Sequence, residues 1–326
     1  MRAVLSEPLR VKWTERYMTV RTHLVVGAGP IGSAVTRRLA GAGETVRIVT
    51  RSGAGPELSN VERIAADASD AGRLSDLAIG MDVIYNCVNP KYHRWATDWP
   101  PIANSLLAAA ESAGSVLVTA SNLYGYGEVS GPMTEQTPLS GTAIKAQIRI
   151  RMWQDALEAH QAGRIRATEA RGADYVGPGA QSHLGDRVIP RLLAGKGIQV
   201  LWNADTLHTW TYTEDMAMTL VALGADERAW GRAWHVPSSL ECTQREAISR
   251  LAALAGVGNP KVGTVPVVLL KTLGLVNPAI RELPEMAYQL RAPFVMDSNA
   301  AQRELGLVPT DADQVLRAIL SAYPRS

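Results

Sequence analysis

The residues best suited to chemistry come early in the chain. Gly27-Ala28-Gly29-Pro30-Ile31-Gly32 fits the pattern G-x-G-x-x-G, directly after the apolar run Thr22–Val26 and directly before the helix-period segment Ser33–Ala42. In that setting the first glycine makes a tight turn and the second lets backbone approach a pyrophosphate. The third lets helix and strand pack closely, while the helix N-terminus faces the anion. About twenty residues on, where a carboxylate would hold a ribose 2′-hydroxyl, the chain has Thr50-Arg51-Ser52. The planar fork of Arg51 and the hydroxyl of Ser52 suit a 2′-phosphate, which favours NADP over NAD. Asp67 and Ala68 follow the third apolar run, where a carboxylate could accept from an adenine amino group or cap a helix. Asn86, Cys87 and Val88 close the fourth run and should line the same cofactor groove. A ligand-free glycine turn and a solvated surface arginine are the plain alternatives.

Positioning such a groove requires strands and helices in alternation, and the hydrophobic periodicity supplies them. Thr45–Thr50, Val61–Ala65, Val83–Cys87, Val116–Thr119 and Ile165–Ala170 read as further strands. Asp70–Ile79, Ile102–Ala113 and Ile144–Gln161 read as helices between them, the first behind an acidic cap. This order predicts an α/β fold, a doubly wound parallel sheet of Rossmann type with right-handed crossovers. The second half is less regular. Ile198–Trp202 and Ala233–Val236 are strand candidates, Glu214–Leu223 is helical, and Thr243–Ala255 opens on the capping box Thr243-Gln-Arg-Glu246. The Pro- and Gly-rich stretch from Pro260 to Pro309 reads as a small lobe of short helices over the sheet edge. The expected division is an extension at 1–17, a dinucleotide-binding domain at 18–176, and a smaller C-terminal substrate lobe at 177–326. Segments near 198–240 are expected to return to the main sheet.

Composition narrows the partners. With 326 residues, 46% of them hydrophobic, the chain can bury one large core and a smaller one. Its 33 basic and 31 acidic residues give a net charge of +2, which offers no stripe for nucleic acid or a membrane surface. No apolar run approaches a membrane span, and the charged first twenty residues lack the apolar core of a secretory signal. Two cysteines, Cys87 and Cys242, cannot form a disulfide framework, which suits a cytoplasmic location. No Cys/His spacing suits zinc, so no metal is expected, and neither a G-x-S-x-G elbow nor a Walker loop occurs. Trp202, Trp210, Trp230 and Trp234 read as core and lobe-packing residues.

From about Val20 to Pro309 the chain resembles the extended short-chain dehydrogenase/reductase family, also called the NAD-dependent epimerase/dehydratase family. The resemblance rests on Gly27–Gly32, the Asp67-Ala68 step, Leu123-Tyr124-Gly125, Met133-Thr134-Glu135 and Thr137-Pro138-Leu139. It continues through Arg171 to Gly177-Pro178-Gly179, Thr211 to Ala217, and Glu304 to Pro309. It implies a cofactor-bound enzyme in which a Tyr and a Lys four residues later share the proton transfer, the Lys lowering the phenol's pKa. That pair is missing. Between Pro138 and Met152 there is no tyrosine, and Lys145 and Arg149 stand at the corresponding positions. An arginine can still hold a nicotinamide ribose. Lys145 could exchange a proton only if burial or a nearby positive charge lowered its pKa, and a pair that merely positions an anionic substrate is the alternative.

The family's serine falls at Ala120, so Ser121 beside it is the candidate, with Tyr124 a further proton donor. Asn89, Tyr92, His93 and Trp95 form the loop after the fourth strand and are expected along a substrate pocket. Tyr175 and His183, which flank Gly177-Pro178-Gly179, are expected there too, and Asp215 is expected to brace the helix after Tyr212. The expected function is hydride transfer to or from a small hydroxyl- or carbonyl-bearing substrate, as an oxidoreductase, epimerase or dehydratase with a non-standard proton donor. The competing reading is an NADP-binding protein without redox catalysis. The partner is a small molecule, and self-association as a homodimer is allowed.

Overall fold

The structure is a computed structural model that describes residues 21–276 and 278–323. The expected extension at 1–17 lies outside the described residues. Twelve strands are present among them: β1 (Thr22–Val26), β2 (Thr45–Thr50), β3 (Val61–Ala65), β4 (Val83–Asn86), β5 (Val116–Asn122), β6 (Arg166–Gly172), β7 (Asp174–Val176), β8 (Ile198–Val200), β9 (His208–Tyr212), β10 (Ala233–His235), β11 (Leu240–Cys242) and β12 (Val262–Thr264). Seven of them form one parallel sheet in the order β10-β6-β5-β4-β1-β2-β3. This is the doubly wound α/β sheet of Rossmann type. The order reverses between β1 and β4, and there the carboxyl ends of the strands open a crevice.

The central strands are apolar on both faces because helices cover both. Val25 of β1 packs on one side with Val35 and Leu39 of α1 (Pro30–Gly41), while its neighbours Leu24 and Val26 pack on the other. That second face is covered by α2 (Ala71–Ala78) and α3 (Trp95–Ala113), followed in the chain by α4 (Ile144–Gln161). Asp70 caps α2 as expected, its side chain accepting from the Arg73 N–H. Helix α3 begins seven residues earlier than the sequence reading placed it, ahead of Pro100 and Pro101. Tertiary burial overrides the proline signal here: Trp95 and Trp99, one turn apart, are both taken into the core.

After β7 the chain leaves the main sheet. Helix α6 (Thr213–Ala225) returns to pack against α1, and β10 joins the sheet beside β6. The short helix α5 (Ile189–Leu193) and the capping-box helix α7 (Gln244–Ala255) cover a second core, built around Trp210, Leu251 and Leu316. The expectation that Ile198–Val200 rejoins the main sheet is corrected: it pairs with β12 in a separate two-stranded ladder. A further three-stranded sheet, β11-β9-β7, has strands too short for alternation to reveal. Residues Asn299–Leu305 form a helix against the β10 edge. Asp215 accepts from both the backbone N–H and the hydroxyl of Thr310, bracing that end of the chain to α6. No helix among the described residues is long and apolar enough to cross a membrane.

His23 on β1 is buried with neither ring nitrogen hydrogen-bonded. Burial pulls its imidazole down to about 4, against the Asp82 charge that favours protonation and with the Arg21 charge adding to the fall. The unfolded chain therefore takes up a proton that the folded chain refuses. The stability this residue contributes is complete above the ordinary imidazole pKa of about 6.5 and is lost as pH falls from there towards 4. Thermal midpoints measured across that range should fall more steeply for the unsubstituted protein than for His23→Gln.

Candidate active site

The dinucleotide turn is set by close backbone approach. Gly27 has φ +103°, and a Cβ there would lie 2.6 Å from the Cys87 carbonyl oxygen. A Cβ on Gly32 would lie 1.9 Å from the Gly27 oxygen, so β1, β4 and α1 meet only through glycine. Gly29 differs, with nothing within 4 Å of where its Cβ would be; its side is the one open to a ligand. Gly29 is the N-cap of α1 and Pro30 follows at the first helical turn, where its missing N–H costs nothing. Ile31 packs against the core beside α1.

From this turn a cleft of about 570 Å³ runs along the ends of β1, β2, β3 and β4. Gly27, Gly29, Arg51, Asp67, Ala68, Cys87, Val88 and Asn89 line it, with Lys91, Arg94 and Asp98 on the opposite wall. Asn89, expected along a substrate pocket, lines this same cleft. Asp67 Oδ1 accepts from the backbone N–H and hydroxyl of Ser69, and these two bonds hold its carboxyl below the usual range, with the Arg51 charge assisting. Arg51 is exposed at the rim and is given no hydrogen bond or ion pair by the described residues; Ser52 is exposed beside it. Asn86 is buried and its side chain accepts from the Val88 N–H at 3.2 Å. Burial pushes the Cys87 thiol up to about 12, so it is a wall rather than a nucleophile.

The candidate catalytic residues gather at the ends of β5 and α4. Ser121 is 3% exposed and its hydroxyl has no partner, while its carbonyl accepts from the Tyr175 hydroxyl. Lys145 is 2% exposed, and its ammonium lies 2.6 Å from Glu282 Oε2 and 2.5 Å from Glu285 Oε2. The same ammonium sits 4.4 Å from the Tyr92 ring centre. One turn on, Arg149 is 7% exposed, its guanidinium 4.7 Å from the ring of Trp95 and 4.5 Å from that of Trp99. Its Nε and Nη1 have no hydrogen-bond partner, and burial pulls its pKa down. Tyr124 packs 5.8 Å from Trp95, and burial pushes its phenol well above the ordinary value. Burial raises Tyr92 and Tyr175 as well.

Packing thus links Ser121, Tyr124, Lys145, Arg149, Tyr92, Trp95 and Tyr175 into one cluster. His93 stands apart on the short helix Tyr92–Arg94, exposed to solvent. His183 is partly exposed, its Nε2 3.8 Å from Asp174 Oδ2. Of the two conditions set for Lys145 to exchange a proton, burial is met, while its charged neighbours are two carboxylates rather than a positive group. Glu282, Glu285, Asp174, His208 and Tyr288 escaped the sequence reading. Only Asp174 carried a signal, by lying inside the family-like run from Arg171 to Gly179.

Residues 23–235 match the model of the NAD dependent epimerase/dehydratase family, and the chain belongs to that family. No curated protein gives a significant match. Solved structures share the fold at low identity. A dTDP-glucose 4,6-dehydratase double mutant, DesIV from Streptomyces venezuelae, with NAD and DAU bound, is 22% identical with a TM-score of 0.73, covering 92% of this chain and 96% of that one. The dTDP-glucose 4,6-dehydratase of Bacillus anthracis in complex with NAD is 16% identical, TM-score 0.74, over 93% and 96% of the two chains. The UDP-glucose 4-epimerase of Thermotoga maritima with UDP-glucose is 16% identical, TM-score 0.75, over 92% and 98%.

The glycines make separable predictions. Gly32→Ala must force α1 off β1 and should destabilise the protein by about 1–3 kcal/mol, read as a lower thermal midpoint. Gly29→Ala meets nothing within the protein and should cost at most about 1 kcal/mol. It should nevertheless weaken dinucleotide binding in a fluorescence titration, because its methyl enters the anion's place.

Proposed function

We propose that the chain is an NADP-dependent oxidoreductase, epimerase or dehydratase acting on a small hydroxyl- or carbonyl-bearing substrate with a non-standard proton donor. The observation that carries this reading is Arg149. A guanidinium buried between two indoles with two unpartnered nitrogens is costly unless a ligand completes it. A ribose or substrate oxygen is the chemistry that fits those donors. When bound, the cofactor supplies or accepts a hydride at its nicotinamide ring. The chain's own residues do the rest. The turn at Gly27–Gly32 binds the pyrophosphate, Arg149 orients the sugar or substrate, and the unpartnered Ser121 hydroxyl hydrogen-bonds the reacting oxygen. Tyr92, Tyr124 and Tyr175 wall the crevice and exclude water.

The choice of NADP rests on Arg51. It stands at the cleft rim with no hydrogen bond or ion pair from the described residues, and Asp67, which also lines the cleft, is already occupied by Ser69. One observation favours the alternative of a cofactor-binding protein without redox catalysis. Glu282 and Glu285 take two of the three donors of the Lys145 ammonium, so the position where this family carries its phenol is tied up in ion pairs.

Two measurements test these readings. Arg51→Ala should weaken NADPH binding by about tenfold or more, the worth of a charge-assisted contact, while leaving NADH binding unchanged. Equal loss for both would remove the 2′-phosphate assignment. Stereospecific deuterium transfer from labelled NADPH to any member of a carbonyl panel would end the non-redox alternative.

A further inference from the structure

A second cavity, of about 250 Å³, lies at the β10 end of the main sheet and shares no lining residue with the dinucleotide cleft. Glu135 and Leu139 line it from the loop between β5 and α4, Trp153 from α4, Arg171 from β6 and Ala233 from β10. Strand β10 is the outermost of the sheet and pairs only with β6. The Arg232 carbonyl and the Val236 N–H bond to β6, so the backbone groups of Ala233 and His235 point off the sheet. The outward N–H of His235 donates to Glu135 Oε1 at 3.0 Å. Ala233, next along that edge, has no partner among the described residues for either its N–H or its carbonyl.

The side chains add one donor and one acceptor of opposite charge. Arg171 is 4% exposed; its Nε donates to Glu169 at 2.7 Å and its Nη1 to the Tyr126 hydroxyl at 2.8 Å. Its Nη2 has no partner among the described residues. Glu135 Oε2 has none either, and Glu135 makes no ion pair among those residues. Arg232, the remaining charge on the wall, is paired with Glu304 at 2.7 Å. With Glu169 and Glu304 included, the unbalanced charge at the cavity is therefore the carboxylate of Glu135. A plain anion is repelled by it, and a plain cation leaves Arg171 Nη2 and the Ala233 N–H without an acceptor.

We propose that this edge cavity binds a free α-amino acid with an apolar side chain. Its ammonium donates to Glu135 Oε2 and the Ala233 carbonyl, and its carboxylate accepts from Arg171 Nη2 and the Ala233 N–H, so both sets of groups are met at once. Leu139 and Trp153 give the side chain an apolar wall, and the Trp153 ring is fixed 5.6 Å from the Arg171 guanidinium. The volume lies below the roughly 300–1,000 Å³ of sites for drug-sized ligands, which suits a molecule of this size. A peptide laid along β10 as a further strand fits less well, because Glu135 already holds the His235 N–H that the next residue would need. The proposal goes beyond the enzymatic reading above and does not rest on it.

Calorimetric titration of the full-length protein with the common amino acids, one at a time, tests this. At least one apolar amino acid should bind with a Kd of about 1 mM or tighter. Its N-acetyl and C-terminal amide forms should each bind about tenfold more weakly or worse, since each loses one charged end. Glu135→Gln keeps an oxygen for the His235 N–H but not the charge, and should weaken the free amino acid by about tenfold as well. Ala233→Pro removes the outward N–H without touching the ladder to β6, and should also weaken it. No amino acid reaching that affinity overturns the proposal. An N-acetyl amide that binds as well as the free form overturns it too, by making the occupant a peptide. Unchanged affinity in Glu135→Gln likewise overturns it, by placing the amino acid elsewhere on the protein. Should either variant fail to fold, the acetylated and amidated forms decide on the unsubstituted protein.

Discussion

An ammonium group with 3% of its side chain exposed must be neutralised where it sits, and in this protein that constraint ties the halves of the molecule together. Lys145 begins α4, a helix of the dinucleotide-binding layers, while Glu282 and Glu285 belong to the C-terminal segment that closes the crevice. The backbone N–H of Lys145 also donates to Glu285, so the segment is held by main chain and side chain alike. Breaking one partner of a buried pair costs several kcal/mol because the other charge is stranded. The position where a phenol would do chemistry has become a clasp, and the walls it fixes define what the crevice can hold.

The clasp shifts the burden of proton handling elsewhere. Tyr92 lies under the Lys145 ammonium, Tyr124 against Trp95, and Tyr175 on the Ser121 carbonyl, so each tyrosine is used as structure. Burial raises all three phenols, with no lysine free to bring them back. Arg149 keeps two unpaired positive donors, and Asp174 lies near the Nε2 atoms of His183 and His208. Arg149 and Asp174 stand on different elements, α4 and β7.

A second buried network runs beside the β10 edge. Arg171 is paired with Glu169 at 2.7 Å and donates to the Tyr126 hydroxyl at 2.8 Å, which in turn meets His235 Nε2 at 2.7 Å. His235 Nδ1 completes the chain at the Asp297 carbonyl oxygen. No buried side-chain atom in this run is orphaned, in contrast to Arg149 and Ser121, which keep orphaned atoms.

The sequence by itself determined the sheet and the dinucleotide turn. Hydrophobic periodicity and glycine spacing are local signals, readable within a window of about 11–18 residues. That is why β1 to β5 and the capping-box helix were legible and why Gly27, Gly29 and Gly32 could be given separate roles. It also led to the expectation that Lys145 and Arg149 stand at the family's Tyr and Lys positions, though not to what surrounds them. Trp95 and Trp99 draw α3 across a proline pair that local rules read as a boundary. Glu282 and Glu285 lie some 140 residues from Lys145, and His208 lies 34 from Asp174. Neither spacing has a period, so only the closure of the second lobe could decide that one lysine would be a clasp and one aspartate would face two imidazoles.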